Sequence, residues 1–157
     1  MIDDRPTNLT DAWLLVGIGS PHGSDRVGWV VADLLAPKLP SPWEVRRARV
    51  PTDLLDWIDG CGRLHLLDAC PLIERAGTVH RLEWPDRRIT ESRTATSHDY
   101  DLPQVLQLAQ RLGQLPQEVV VWAIEVAAGA PLEENAPWID AVAHRIRNDL
   151  NHAPRAS

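Results

Sequence analysis

Three side chains that lie far apart in the sequence have the chemistry to share one site: Asp25, Asp68 and His98. Two carboxylates and an imidazole on one rim can bind a borderline divalent ion and leave positions open for water or substrate. The same groups can also work without a bound ion, as a carboxylate pair with an orienting imidazole. Each residue also has a plain structural explanation. Asp25 sits where an acidic residue suits the positive start of a helix. His98 lies in a polar loop, where a histidine is ordinarily a surface residue. Asp68 follows Leu66 and Leu67 and precedes Ala69 and Cys70. In such apolar company an aspartate needs a partner, backbone amides or a metal.

Other chemistries fail on their spacing. Gly17-Ile-Gly19 begins like G-x-G-x-x-G, but His22 occupies the third glycine position, and no Lys-Ser or Lys-Thr follows to make a phosphate loop. No nucleotide cofactor is expected. The G-x-S-x-G elbow of serine hydrolases is absent, as are H-E-x-x-H and paired C-x-x-C. Cys70 stands near Asp68, but apolar neighbours raise a thiol pKa, so a core cysteine is expected rather than a nucleophile.

Alternating strands and helices must position these groups. Trp13–Ile18 is a continuous apolar run closed by Gly19-Ser-Pro-His-Gly, which predicts a buried strand. Val27, Val30, Val31, Leu34 and Leu35 form one helical face, with Ser24 as candidate N-cap and Pro37 as terminator. A second strand is expected over 43–50, a short helix capped by Thr52 through Ile58, and a third strand over 64–69. An edge strand is expected over 78–83. Asp101 and Gln104 make a capping box for a helix that Gly113 closes. A fourth core strand follows over 119–124. Asn135 is the candidate cap of a last helix, with Pro137 in its first turn and Trp138, Ile139, Val142, Ile146 and Leu150 on one face. This alternation predicts an α/β fold: a three-layer sandwich with a twisted, mostly parallel sheet of about five strands and helices on both faces. Such sheets bind ligands beyond the carboxyl ends of their strands. Asp25, Asp68, the segment around His98, and Glu125 all fall after strands in this scheme.

Composition agrees with one globular domain. The chain has 157 residues, of which 44% are hydrophobic and 24% charged. Its ordered core is expected over about 13–150, between polar termini. A net charge of −6 opposes a nucleic-acid partner. The one dense basic stretch, Arg46, Arg47 and Arg49, reads as a solvated edge. No run reaches the ~18 apolar residues of a membrane span, and the N-terminus lacks a secretory pattern. The two cysteines are expected as reduced thiols in a cytoplasmic protein.

The chain resembles the hydrogenase maturation proteases in the order of three motifs. Leu14-Leu-Val-Gly-Ile-Gly-Ser-Pro-His-Gly-Ser-Asp-Arg-Val-Gly-Trp29 resembles the family opening: a strand, G-x-G-N, a short loop, then two acids and x-x-G at a helix start. Leu66-Leu-Asp-Ala69 resembles its second acidic strand end, and Thr96-Ser-His-Asp99 its histidine segment. Val119-Val-Val-Trp-Ala-Ile-Glu125 resembles the strand before its C-terminal region. The first loop is one residue shorter than usual. Ser20, Ser24, Arg26 and Val126 also depart from the pattern.

The resemblance implies an endopeptidase that removes the C-terminal extension of a nickel–iron hydrogenase large-subunit precursor after nickel insertion. It places the family's metal-binding positions on Asp25, Asp68 and His98. These would engage the nickel of the substrate or another borderline divalent ion at the same place. Two alternatives stay open. One is a nickel-sensing binding module that docks on the large subunit without cutting it. The other is a small-molecule α/β hydrolase, for which Arg26 would supply the anion contact.

Overall fold

The computed structural model describes residues 12–90 and 101–152. The first apolar run forms strand β1, Trp13–Ile18, and every residue after Trp13 in it is buried. It is flanked by β2, Trp43–Ala48, and β3, Arg63–Pro71, both parallel to it. β5, Glu118–Val126, lies parallel to β3 on the far side. The edge strand β4, Val79–Glu83, pairs antiparallel with β5. The order is β2-β1-β3-β5-β4. The expected five-stranded, mostly parallel sheet is therefore present. Runs that are apolar at every position suit strands covered on both faces.

The period of two sorts the strand residues between two cores. Leu15, Leu67, Val120, Trp122 and Ile124 pack with helices α1, Val27–Leu35, and α4, Pro137–His152. Leu14, Val16, Leu64, Leu66, Val119 and Val121 pack instead with α3, Leu102–Arg111, and with the turn over Pro51–Asp56. A short helix, α2 at Arg87–Thr90, joins that second face through Ile89. The three layers are thus helices, sheet and helices.

The capping box at α3 forms as expected: Gln104 N–H donates to Asp101, and Asp101 N–H donates to Gln104 Oε1. Three other caps differ from expectation. α4 begins at Pro137, so Ala136 rather than Asn135 stands just before it. Ser24 does not cap α1, because it lies inside a single 3₁₀ turn, Gly23–Arg26, that precedes the helix. Thr52 does not cap the 51–56 turn. Val50 stands at the cap position, and Asp53 in the first turn reaches back to accept the N–H groups of Arg49 and Val50. The basic stretch is a solvated edge. Arg47 bonds Asp33 and lies over Trp29, while Arg46 lies over Trp57.

His65, a polar residue within β3, is buried. Trp122 Nε1–H donates to its Nδ1 at 3.1 Å, and its Nε2 lies 3.1 Å from Glu118 Oε2. An indole nitrogen only donates, so Nδ1 accepts and Nε2 carries the hydrogen toward Glu118. This network joins β3 to β5 at the end of the sheet where Arg63 and Glu118 begin their strands.

The start of α1 is pressed onto the strands. A Cβ on Gly28 would stand 2.5 Å from the Ile18 carbonyl oxygen and 2.7 Å from that of Leu67. A Cβ on Gly17 would stand 2.3 Å from the Gly28 oxygen. Gly28→Ala gains about 1 kcal/mol of helix propensity. The clash is with backbone atoms that cannot swing away, and overpacking of this kind costs about 1–3 kcal/mol or more. The clash therefore wins. Gly28→Ala is expected to lower the urea midpoint of unfolding with an unchanged slope, and an unaltered midpoint would refute this account of the contact.

Candidate functional site

Because β1, β2, β3 and β5 are parallel, their carboxyl ends share one rim. Three chain segments meet there: the loop after β1, the tip of β3 and the tip of β5. Along β3, Leu64 and Leu66 face the α3 core, so the alternation places Asp68 and Cys70 on that same face. Cys70 is the register partner of Glu125.

Asp68 is half-buried at the end of the β3 apolar run. Burial pushes its carboxyl up to about 7, because the charged form loses water. A hydrogen bond from the Ala69 backbone opposes the rise, and the negative charge of Asp25 adds to it. The structure thus brings two of the sequence-predicted residues within electrostatic reach of each other. Asp25 itself is exposed, in the 3₁₀ turn before α1. The glycine contacts explain how it gets there. A Cβ on Gly19 would stand 2.5 Å from the Asp25 carbonyl oxygen, so this backbone lies directly on the end of β1.

The departures in the first loop have partners. Ser24 is buried, and its hydroxyl donates to the Ala127 carbonyl at 2.9 Å. Arg26 forms an ion pair with Glu134. The loop after β1 is therefore tied to the loop after β5, with Asp25 left facing solvent between the two anchored neighbours.

Glu125 is wholly buried at the rim. Its Oε1 accepts the backbone N–H groups of Ile73 at 2.6 Å and Glu74 at 2.7 Å, and its Oε2 lies 2.7 Å from His80 Nε2. Burial favours the neutral acid. The bonds from Glu74, Ile73 and His80 outweigh it and hold the carboxyl below its ordinary range. Sequence reasoning places Glu125 at the rim but misses this cage. The available signal is a glutamate with apolar neighbours on both sides, Ile124 and Val126. Cys70 is half-buried rather than a core residue. Burial first, then the charges of Glu125 and Asp68, push its thiol up to about 11. At neutral pH it stays protonated, which removes it as a nucleophile. Cys61 and Cys70 are both free thiols.

His98 lies outside the described residues. Among the described residues, no three His, Cys, Asp or Glu side chains are grouped so as to hold a metal ion. Asp25 and Asp68 do fit part of such a site. A divalent cation would take the place of the proton on Asp68 and cancel the repulsion between the two carboxylates. With oxygen donors alone the pair suits a hard ion, and an added imidazole would shift the preference to a borderline one.

The raised Asp68 makes a signed prediction. An unfolded Asp titrates near about 3.9. The folded chain holds this proton up to about pH 7. Between those limits the folded state binds more protons, so its stability falls as pH rises and levels off above the window. Asp68→Asn removes the ionisation. The variant is expected to gain on the parent in urea unfolding as pH rises from about 4 to about 7. A difference that does not vary with pH would contradict the assignment.

No protein-family model and no curated protein matches the sequence. Solved structures do match by shape. A hydrogenase 2 maturation peptidase from a Thaumarchaeota archaeon superposes with a TM-score of 0.61 at 24% identity, covering 90% of this chain and 97% of that one. The hydrogenase maturating endopeptidase HybD from E. coli gives 0.63 at 18% identity, covering 88% and 89%. The [NiFe] hydrogenase maturation protease HybD from Thermococcus kodakarensis gives 0.60 at 19%, covering 88% and 98%. Sheet, helices and loops together, the chain has the fold of the hydrogenase maturation peptidases.

Proposed function

We propose that this chain is an endopeptidase of the hydrogenase maturation type, which cuts the C-terminal extension from a nickel–iron hydrogenase large-subunit precursor after nickel insertion. The observation that carries the reading is the placement of Asp68 on β3, one residue past the end of its pairing with β1, with the Asp25 turn beside it. Shared fold and the order of the Asp25, Asp68 and His98 motifs support it. A cytoplasmic setting accords with such a partner. Among the described residues no helix is long and apolar enough to cross a membrane.

In this reading Asp25, Asp68 and His98 engage the nickel of the substrate, or another borderline divalent ion at the same place. The precursor's own nickel then acts as the handle that brings the tail to the rim. Asp68 releases its proton when the cation arrives, since the cation's charge favours the carboxylate. A carboxylate at this rim accepts a proton from water as the water attacks the scissile carbonyl. The Arg26–Glu134 pair disfavours a small-molecule ester hydrolase, because the cation such a substrate would need is already neutralised.

Incubation of the purified protein with nickel-loaded precursor is expected to shorten the large subunit, while precursor without nickel stays whole. Asp68→Asn is expected to lower cleavage by roughly 10²–10⁴-fold with the fold retained. Asp25→Ala and His98→Ala are expected to weaken the nickel dependence, read as a higher nickel-precursor concentration for half-maximal rate. A tail left intact by the parent protein after prolonged incubation would overturn the proposal and leave the non-cutting binding module in its place.

A further inference from the structure

Five large apolar side chains are exposed among the described residues, and three of them sit at the carboxyl-end rim. Val50 follows β2. Leu72 and Ile73 follow β3, with 48% and 78% of their surfaces open to solvent. Single exposed apolar residues need no explanation. These two differ in how their backbone is held. Loops after strands are ordinarily loosely fixed. Here a wholly buried carboxylate, Glu125, accepts the N–H groups of Ile73 and Glu74 at 2.6 and 2.7 Å, and His80 holds its other oxygen at 2.7 Å. Glu125 also anchors the return of the same loop through its backbone, accepting from Gly77 N–H and donating to the Thr78 carbonyl. Neither Leu72 nor Ile73 belongs to either core cluster. The cage thus fixes the backbone at Ile73 and Glu74, directly after Leu72, and leaves the Leu72 and Ile73 side chains in water, an arrangement that core packing does not require.

We propose that Glu125 is a positioning residue that holds Leu72 and Ile73 as an apolar ledge, and that the ledge binds apolar side chains of the substrate polypeptide next to the bond being cut. The inference rests on the endopeptidase reading and deepens it. The occupant follows from continuity with the rim site. Leu72 comes four positions after Asp68 along an extended segment. At about 3.3 Å per residue it lies within roughly 13 Å of that carboxyl. A substrate strand lying across the rim spans that distance with about four residues, so the ledge reads apolar positions about three or four residues from the cleaved bond. Specificity then comes from the polypeptide on one side of the site, in addition to the nickel handle.

The test is steady-state cleavage of nickel-loaded precursor by the parent chain, the double variant Leu72→Ser/Ile73→Ser, Glu125→Leu and Glu125→Gln. The double variant changes only exposed side chains and is expected to fold. It should raise KM by roughly tenfold or more and change kcat by less than about twofold. Glu125→Leu should raise KM similarly and speed amide hydrogen exchange at Ile73 and Glu74. Glu125→Gln keeps an oxygen that can accept both N–H groups and should restore KM to within about threefold of the parent. If Glu125→Leu fails to fold, the double variant alone decides the ledge. Unchanged KM in the double variant, with the parent cutting normally, overturns the ledge and leaves the endopeptidase reading standing. A dimer of the parent that the double variant dissolves also overturns it, since the ledge would then bind a second copy. No cutting by the parent is a different failure, that of the endopeptidase reading, and it takes the ledge with it.

Discussion

The site depends on a contact between backbones at which no side chain fits. Gly28 at the start of α1 lies against the carbonyl oxygens of Ile18 and Leu67, and Gly17 lies against Gly28. Adjacent parallel strands β1 and β3 thereby share one helix start. The same closeness sets the 3₁₀ turn on the end of β1, with Gly19 under the Asp25 carbonyl. Asp25 is brought to the β3 tip by this seat rather than by any attraction to Asp68. Burial raises the proton affinity of Asp68, and repulsion from Asp25 adds to it.

Two carboxylates on this rim show how hydrogen-bond supply decides between structure and chemistry. Asp68 and Glu125 both suffer from burial, and their proton affinities move in opposite directions. Glu125 receives two backbone donors and faces His80, enough to hold the charge in a dry place. Asp68 receives a bond from Ala69 and faces a neighbour of its own sign. The first is a fixed anion that organises a loop. The second keeps its proton up to about pH 7. Burial alone would not separate these roles.

The strands and helices are legible in the sequence because each buries a continuous or periodic apolar surface, and burial is what the pattern encodes. The Asp101–Gln104 box is legible for a local reason: both partners sit within one helical turn. Asp68 stands out because an aspartate inside an apolar run needs explaining. What is hidden in the sequence is long-range. Ser24 reads as a helix cap, but its acceptor, Ala127, lies beyond four intervening strands in the chain. His65 looks as odd within its strand as Asp68 does. Only the register of β3 with β5 shows that Trp122 and Glu118 satisfy it, making it a structural residue. The cage around Glu125 draws on a loop and an antiparallel edge strand, and no spacing rule links the three.

The residues of the first loop are satisfied by partners within the chain. Ser24 is buried against a carbonyl oxygen. A carboxylate at that position would meet an acceptor instead of a donor, and burying it unpaired would be costly. A hydroxyl can donate there, so serine suits the position that an acid cannot occupy in this loop. Arg26, on the other side, faces Glu134 rather than the rim. With both neighbours anchored to the segment after β5, the turn leaves Asp25 as the acidic group exposed at its crest. It is also the residue whose charge Asp68 registers. The turn therefore keeps one carboxylate near Asp68, and that carboxylate is Asp25, three positions before the glycine on which α1 is seated.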